Sequence, residues 1–121
     1  MTSTLFEKRI TGKPVTFGDA KTERPWKDLI KGQIGVWENE SIRKTSIILD
    51  FFLDSSRFTN KGKITKNDLD NLAKPVLDAL VESKILFSDS EVLDLVLRKR
   101  IDSNEGVRIR IYEWNEENFV F

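Results

Sequence analysis

The chain has 121 residues and no cysteine or histidine, which excludes disulfides, thiolate or imidazole metal sites and a catalytic triad that contains histidine. Its 20 basic and 20 acidic residues give a net charge of zero, which counts mildly against a nucleic-acid partner. No apolar run approaches the ~20 residues of a membrane helix, and the N terminus has no signal-peptide core, so we expect a cytoplasmic protein with no membrane partner.

The first half of the chain predicts a strand, a helix and a second strand. Residues 4–10 alternate loosely in polarity and predict the first strand. Pro25 can start a helix because proline is tolerated in a first turn, and apolar residues follow at helical spacing: Trp26, Leu29, Ile30, Ile34 and Trp37. Residues 45–53 are β-branched, aromatic and almost continuously apolar, which predicts a central strand covered on both faces.

The second half predicts one more helix and two more strands. An apolar stripe over residues 69–80 indicates a helix, but Pro75 disfavours helical geometry at Lys74. We therefore expect regular helix from about Lys74 or Pro75, after an irregular turn over residues 68–73. Residues 91–101 and 107–111 alternate in polarity, and the turn-rich segment between them predicts a hairpin.

The order β-α-β-α-β-β predicts the fold class. It is typical of an α/β (α+β) domain in which a mixed sheet of about four strands packs against two helices. Neither internal repeats nor low-complexity segments divide the chain, so we expect one domain over residues 1–121.

Carboxylates lie at both ends of the second predicted helix. Asp68 and Asp70 are two residues apart, so an extended backbone places both on one face, with Asn71 free to point at a ligand. A helix over residues 74–83 is ~15 Å long and six extended residues span up to ~20 Å, so the chain can return Asp89 to the helix start. Any metal must be held by oxygen, which indicates Mg²⁺ or Mn²⁺.

Positive charge is clustered although the net charge is zero. The segment 57–66 contains only basic charges, and residues 98–100 form a second basic cluster. Phosphate contact and ordinary solvation are about equally good interpretations of the first cluster. The residues predicted to contact DNA are Lys61, Lys63, Lys66, Asn71, Arg98 and Arg100.

The motif D-L-D-N-x-x-K-x-x-x-D-A-L, followed by an Asp ahead of E-V-x-D, resembles the RusA family of Holliday junction resolvases over residues 66–100. The resemblance implies a homodimeric, Mg²⁺-dependent endonuclease that nicks four-way DNA junctions in recombination and repair. It implies that Asp68, Asp70 and Asp89 bind metal and that Lys74 acts in catalysis. The chain departs from the family at Ser88, where an aspartate is frequent, and it lacks the Asn- and Arg-rich N-terminal loop of some members.

Simpler interpretations remain for several of these residues. Asp68 and Asp70 can cap a helix, and Lys74 by itself can be a solvated surface lysine. Asp78 is assigned to a polar helix face and left outside the site. Two further acids, Glu91 and Asp94, fit either an extended acidic cluster or exposed strand positions.

Three functions compete at this point. The first is a junction-selective endonuclease, the second a DNA-binding module without cleavage, and the third a metal-dependent phosphoesterase. The combined carboxylates and lysine favour the first over the second, and the basic clusters without a Gly-rich phosphate loop favour it over the third. Paired nicking favours a C2 homodimer, whose contact would use part of an apolar supply that is generous for 121 residues: Trp26, Trp37, Phe51, Phe52, Trp114, Phe119 and Phe121.

Overall fold

The computed structural model describes residues 3–18, 20–58 and 68–115. Its elements are β1 (Thr4–Thr11), α1 (Ala20–Ile34), β2 (Thr45–Leu53), α2 (Leu69–Glu82), β3 (Val92–Ile101) and β4 (Gly106–Glu113), with 3₁₀ turns at Ser55–Phe58 and Asp89–Glu91. The predicted order and the α+β class with a four-stranded mixed sheet are confirmed. Neither α1 nor α2 has the length and apolar character needed to span a lipid bilayer.

The strand order in the sheet is β1-β4-β2-β3, so the predicted hairpin between the last two strands is wrong. β2 lies between them, parallel to β3 and antiparallel to β4. The physical reason is the apolar character of β2, which is buried at every residue except Phe52 and therefore requires a neighbour along each edge. Strand β4 in turn pairs with β1, so the turn before β4 crosses over the end of β2.

The core lies between the sheet and the two helices. Alternate residues of β2, including Leu49 and Phe51, are fully buried together with Ile30 of α1 and Leu80 of α2. Trp26 belongs to the same cluster and is only 3% exposed. Trp26 and Phe51 therefore belong to the core of one chain and are not available for a subunit contact.

On the opposite face of β2, arginine side chains pack against the strand. Asp50 is 3% exposed and pairs with Arg110 at 2.7 Å, Arg100 at 3.4 Å and Arg98 at 3.8 Å. A buried carboxylate needs such partners because desolvation strongly disfavours an unpaired charge. The prediction that β2 is covered on both faces thus holds, with a polar second layer.

Helix α1 begins at Ala20, five residues before the position predicted from Pro25. Pro25 therefore lies inside α1 instead of at its start. The helix ends at Ile34, where Gly35 takes φ of 78°, a left-handed conformation that favours glycine. Trp37 therefore lies beyond the helix instead of on its apolar face.

Helix α2 begins at Leu69, so the predicted irregular turn over residues 68–73 is wrong. Pro75 lies inside the helix, and its missing N–H leaves the carbonyl of Asn71 without its usual partner. The N–H of Phe17 donates to that carbonyl at 2.9 Å. The loop after β1 thus replaces the lost bond, and the first turn of α2 stays regular.

An ion cluster joins the C-terminal end of α2 to α1. Glu82 accepts hydrogen bonds from Arg24 at 2.9 Å, Lys31 at 3.0 Å and Lys27 at 3.3 Å. Hydrogen bonding from Arg24, and then from Lys31, lowers the pKa of Glu82 from 4.5 to about 2. Both helices are therefore held at the end of α2 that is farthest from Asp68.

We expect Glu82→Gln to lower the thermal midpoint at pH 7. A carboxyl whose folded pKa is lowered stabilises the fold fully above its unfolded pKa, and this stability is lost as pH falls toward the folded value. The difference in midpoint between parent and variant should therefore shrink as pH falls from about 4.5 to about 2. Glu38→Gln, at an exposed position, is the control in calorimetric scans across this range, and a constant difference would contradict the assignment.

Candidate active site

Asp68 and Asp70 lie at the N-terminal end of α2. Asp68 occupies the N-cap position with φ of −63° and ψ of 136°, yet its side chain makes no capping hydrogen bond. Asp70 lies in the first turn, and both residues are exposed. Within the described residues neither carboxylate has a hydrogen bond or ion pair, so two negative charges remain available beside the positive end of the helix dipole.

Lys74 lies one helical turn beyond Asp70 and binds two other carboxylates. Its Nζ is 3.2 Å from Asp78 Oδ1 and 3.6 Å from Asp89 Oδ2. Asp78 follows Lys74 by four residues, which places both side chains on the same helix face. Asp89 comes from the 3₁₀ turn before β3, so the chain does double back along α2.

The connection after α2 brings Asp89 to this position. The N–H groups of Ile85 and Leu86 both donate to the carbonyl of Leu80, and the two side chains are buried. The turn that follows is fixed by Ser88, whose hydroxyl accepts a hydrogen bond from the N–H of Ser90 at 3.2 Å. Burial of two apolar residues and a capped turn together place the Asp89 carboxylate beside Lys74.

The two carboxylates determine the charge state of Lys74. The hydrogen bond with Asp78, followed by the charge of Asp78 and then that of Asp89, raises the pKa of Lys74 above its usual value. Lys74 therefore stays protonated at neutral pH and is unsuited to act as a general base. It presents a positive charge and hydrogen-bond donors instead.

The predicted metal ligands lie in two groups. Asp68 and Asp70 share the helix start, whereas Asp89 lies with Asp78 around Lys74. Over residues 3–18, 20–58 and 68–115, no three acidic side chains lie close enough together to hold a metal ion. The donor set nevertheless fits Mg²⁺ or Mn²⁺ in kind, because exposed carboxylate oxygens are the ligands these cations prefer.

An open cleft of about 270 Å³ lies beside the second group. Its walls combine the carboxylates of Asp78 and Asp89 with apolar side chains of Val81 and Phe87, and they also include Glu82 and Ser88. Lys74 contacts both carboxylates of this wall.

The predicted DNA-contact residues that the structure describes lie on different elements. Arg98 and Arg100 project from the sheet face opposite the helices, where they pair with Asp50. Asn71 lies in α2 next to Asp70, with its carbonyl bound to the loop after β1. Three predicted DNA contacts lie outside the described residues: Lys61, Lys63 and Lys66.

Two other acids have structural partners and do not extend the site. Glu91 accepts a hydrogen bond from the N–H of Lys44 at 3.1 Å, and Asp94 accepts one from the hydroxyl of Ser46 at 3.1 Å. The residue that sequence reasoning missed is Asp78. Its spacing of four from Lys74 was the available signal, because such pairs meet on a helix surface.

Comparison with known proteins gives one family. A family model described as endodeoxyribonuclease RusA matches residues 5–112, nearly the whole chain. The matched range includes both helices, the Asp89 turn and almost all of the four strands. No curated protein matches the chain.

We expect Asp68→Ala to leave the free energy of unfolding almost unchanged. Its side chain makes no capping bond, so the loss should stay below the about 1 kcal/mol typical of a lost N-cap. Asp54→Ala is the matched control, because Asp54 accepts hydrogen bonds from the Ser56 N–H at 3.0 Å and hydroxyl at 2.6 Å. Urea unfolding measures the loss in free energy of unfolding for both variants. A loss for Asp68→Ala as large as that for Asp54→Ala would support the helix-cap interpretation.

Proposed function

The chain belongs to the RusA family of endodeoxyribonucleases, and on this premise we propose that it is a Mg²⁺-dependent nuclease that resolves four-way DNA junctions in recombination and repair. The observation that carries the proposal is the pair of exposed carboxylates at the start of α2, which have no partner among the described residues, with a protonated lysine one turn further on. We further propose that it acts in the cytoplasm as a homodimer.

Each residue of the site has a role suited to its chemistry. Asp68 and Asp70, which share the helix start, would hold the divalent cation, with Mn²⁺ as a substitute for Mg²⁺. Asp89, which lies in the separate group around Lys74, is proposed as a further ligand. Such a cation supplies charge stabilisation at the phosphate and an activated water. The ammonium of Lys74, which lies beside Asp89, is proposed to neutralise negative charge that develops on the phosphate or on the leaving oxygen.

DNA contact is proposed to begin at the same end of α2. Lys61, Lys63 and Lys66 directly precede the acidic motif in sequence, so their charges can hold phosphates near Asp68. Asn71 lies within the first two turns of α2, next to Asp70, and offers an amide to the sugar-phosphate backbone. Arg98 and Arg100 are proposed as secondary contacts, because Asp50 neutralises part of their charge on the other sheet face.

One assay separates this function from its competitors. We expect the protein to nick a labelled four-way junction in Mg²⁺ or Mn²⁺, to leave linear duplex largely intact, and to lose activity in excess chelator. Binding of the junction without nicking would indicate a DNA-binding module. Hydrolysis of a phosphomonoester without nicking would indicate a phosphoesterase, and full nicking in chelator would refute the role of the cation.

We expect Asp70→Asn to abolish nicking while junction binding persists or becomes tighter. The change removes a proposed metal ligand, but it also removes a negative charge that repels DNA phosphate. Gel-shift and cleavage assays on one preparation measure both effects. Asp28→Asn on α1 is the matched control, and parallel loss of binding and cleavage together with a lower thermal midpoint would point to a structural role for Asp70.

The proposed dimer has a candidate contact at the edge of the sheet. Among the described strands β3 has a neighbour on one side only, and it exposes three large apolar side chains: Leu93, Leu95 and Ile101. A second copy of the chain is the proposed occupant, because a four-way junction has near two-fold symmetry and resolution requires two matched nicks.

We expect sedimentation equilibrium at micromolar protein to give twice the 14.0 kDa mass of the chain. Leu95→Glu places a charge in the proposed contact and should shift the mass toward the monomer, with loss of paired nicking. Val36→Glu, at the most exposed apolar position described, is the control and should leave the mass unchanged. A monomeric parent with and without junction DNA would remove the mechanism of paired incision.

A further inference from the structure

Lys74 can form an ion pair with either of two carboxylates on its own helix. Asp70 precedes it by four residues and Asp78 follows it by four, so both are within reach on one face of α2. In isolated helices the better pair has the acid on the N-terminal side of the lysine, which would favour Asp70. The structure shows the other pair, with Lys74 Nζ 3.2 Å from Asp78.

The surroundings explain this preference. Asp78 is the most sheltered of the three partners, with a side chain 26% exposed against 43% for Lys74 and 56% for Asp89. It lines the wall of the cleft beside Val81, and Asp89 adds a second negative charge at 3.6 Å from the ammonium. Two carboxylates on one side attract the ammonium more strongly than the single exposed carboxylate of Asp70 does.

We propose that Asp78 is a positioning residue for Lys74, a role that rests on the nuclease function proposed above. By holding the ammonium toward Asp89 at the cleft, Asp78 fixes the point at which Lys74 meets the phosphate. Asp78 acts through Lys74 and contacts neither phosphate nor metal.

Asp78→Ala tests the role without disturbing the helix, because alanine is the best helix former. We expect kcat for junction nicking to fall by about 10-fold to 100-fold, since misplacing a catalytic group by about an ångström has effects of that size. KM should not rise, and the Mg²⁺ concentration for half-maximal activity should stay the same. Asp78→Glu retains a carboxylate within reach of Lys74 and should recover most of the rate.

Two comparisons make the test specific. In a Lys74→Ala background, adding Asp78→Ala should cause no further loss, because a positioning residue has nothing left to position. Asp28→Ala is the matched control: Asp28 forms the same kind of pair on α1, 3.5 Å from Arg24 across four residues, and should leave nicking unchanged.

A measurement independent of nicking follows the lysine directly. ¹⁵N relaxation of the Lys74 ammonium should report an ordered group in the parent and in Asp78→Glu, and a mobile group in Asp78→Ala. An ordered ammonium in Asp78→Ala, a parental kcat in Asp78→Ala, or multiplying losses in the double variant would overturn the proposal. If Asp78→Ala needs more Mg²⁺ than the parent for half-maximal activity, Asp78 is a metal ligand and the positioning role is overturned. If the parent orders Lys74 through Asp78 but nicks no branched DNA, the nuclease function fails while the positioning contact stands.

Discussion

A single carbonyl oxygen decides where the candidate site can form. Pro75 deprives the carbonyl of Asn71 of its helical partner, because proline has no N–H. The N–H of Phe17 takes its place, so the loop after β1 and the first turn of α2 are joined by one bond. Because that turn remains regular, Asp68 falls at the N-cap position and Asp70 lies in the first turn of the helix.

The two ends of α2 are held by different means, and this difference suits the site. At the C-terminal end, Glu82 accepts hydrogen bonds from three basic side chains of α1, which fix the helix firmly against its neighbour. At the N-terminal end the carboxylates are left without partners in the described chain. Ion pairs with α1 are thus concentrated at the C-terminal end of α2, while carboxylates without a partner among the described residues lie at its start.

Part of the positive charge of the chain is paired with a carboxylate within the fold. Three arginines surround Asp50 on the sheet face opposite α1 and α2, so their charges stabilise a buried carboxylate. Basic residues are therefore not a simple measure of nucleic-acid affinity in this chain. The lysines that precede the acidic motif, and the ammonium of Lys74, carry more of the argument for DNA than the arginine count does.

The sequence alone determined the element order, the central place of β2 and the chemical type of the site, because periodicity, β-branched runs and the absence of histidine and cysteine are local facts. It could not determine the start of α2 or the strand order. Pro75 disfavours a helix locally, but the N–H of Phe17, 54 positions before Asn71, supplies the hydrogen bond that the proline cannot. Strand β4 pairs with β2 instead of with β3, its neighbour in sequence. The pairing of Lys74 with Asp78 instead of Asp70 was likewise decided by tertiary structure, since only the returning chain brings the charge of Asp89 to that side of the helix.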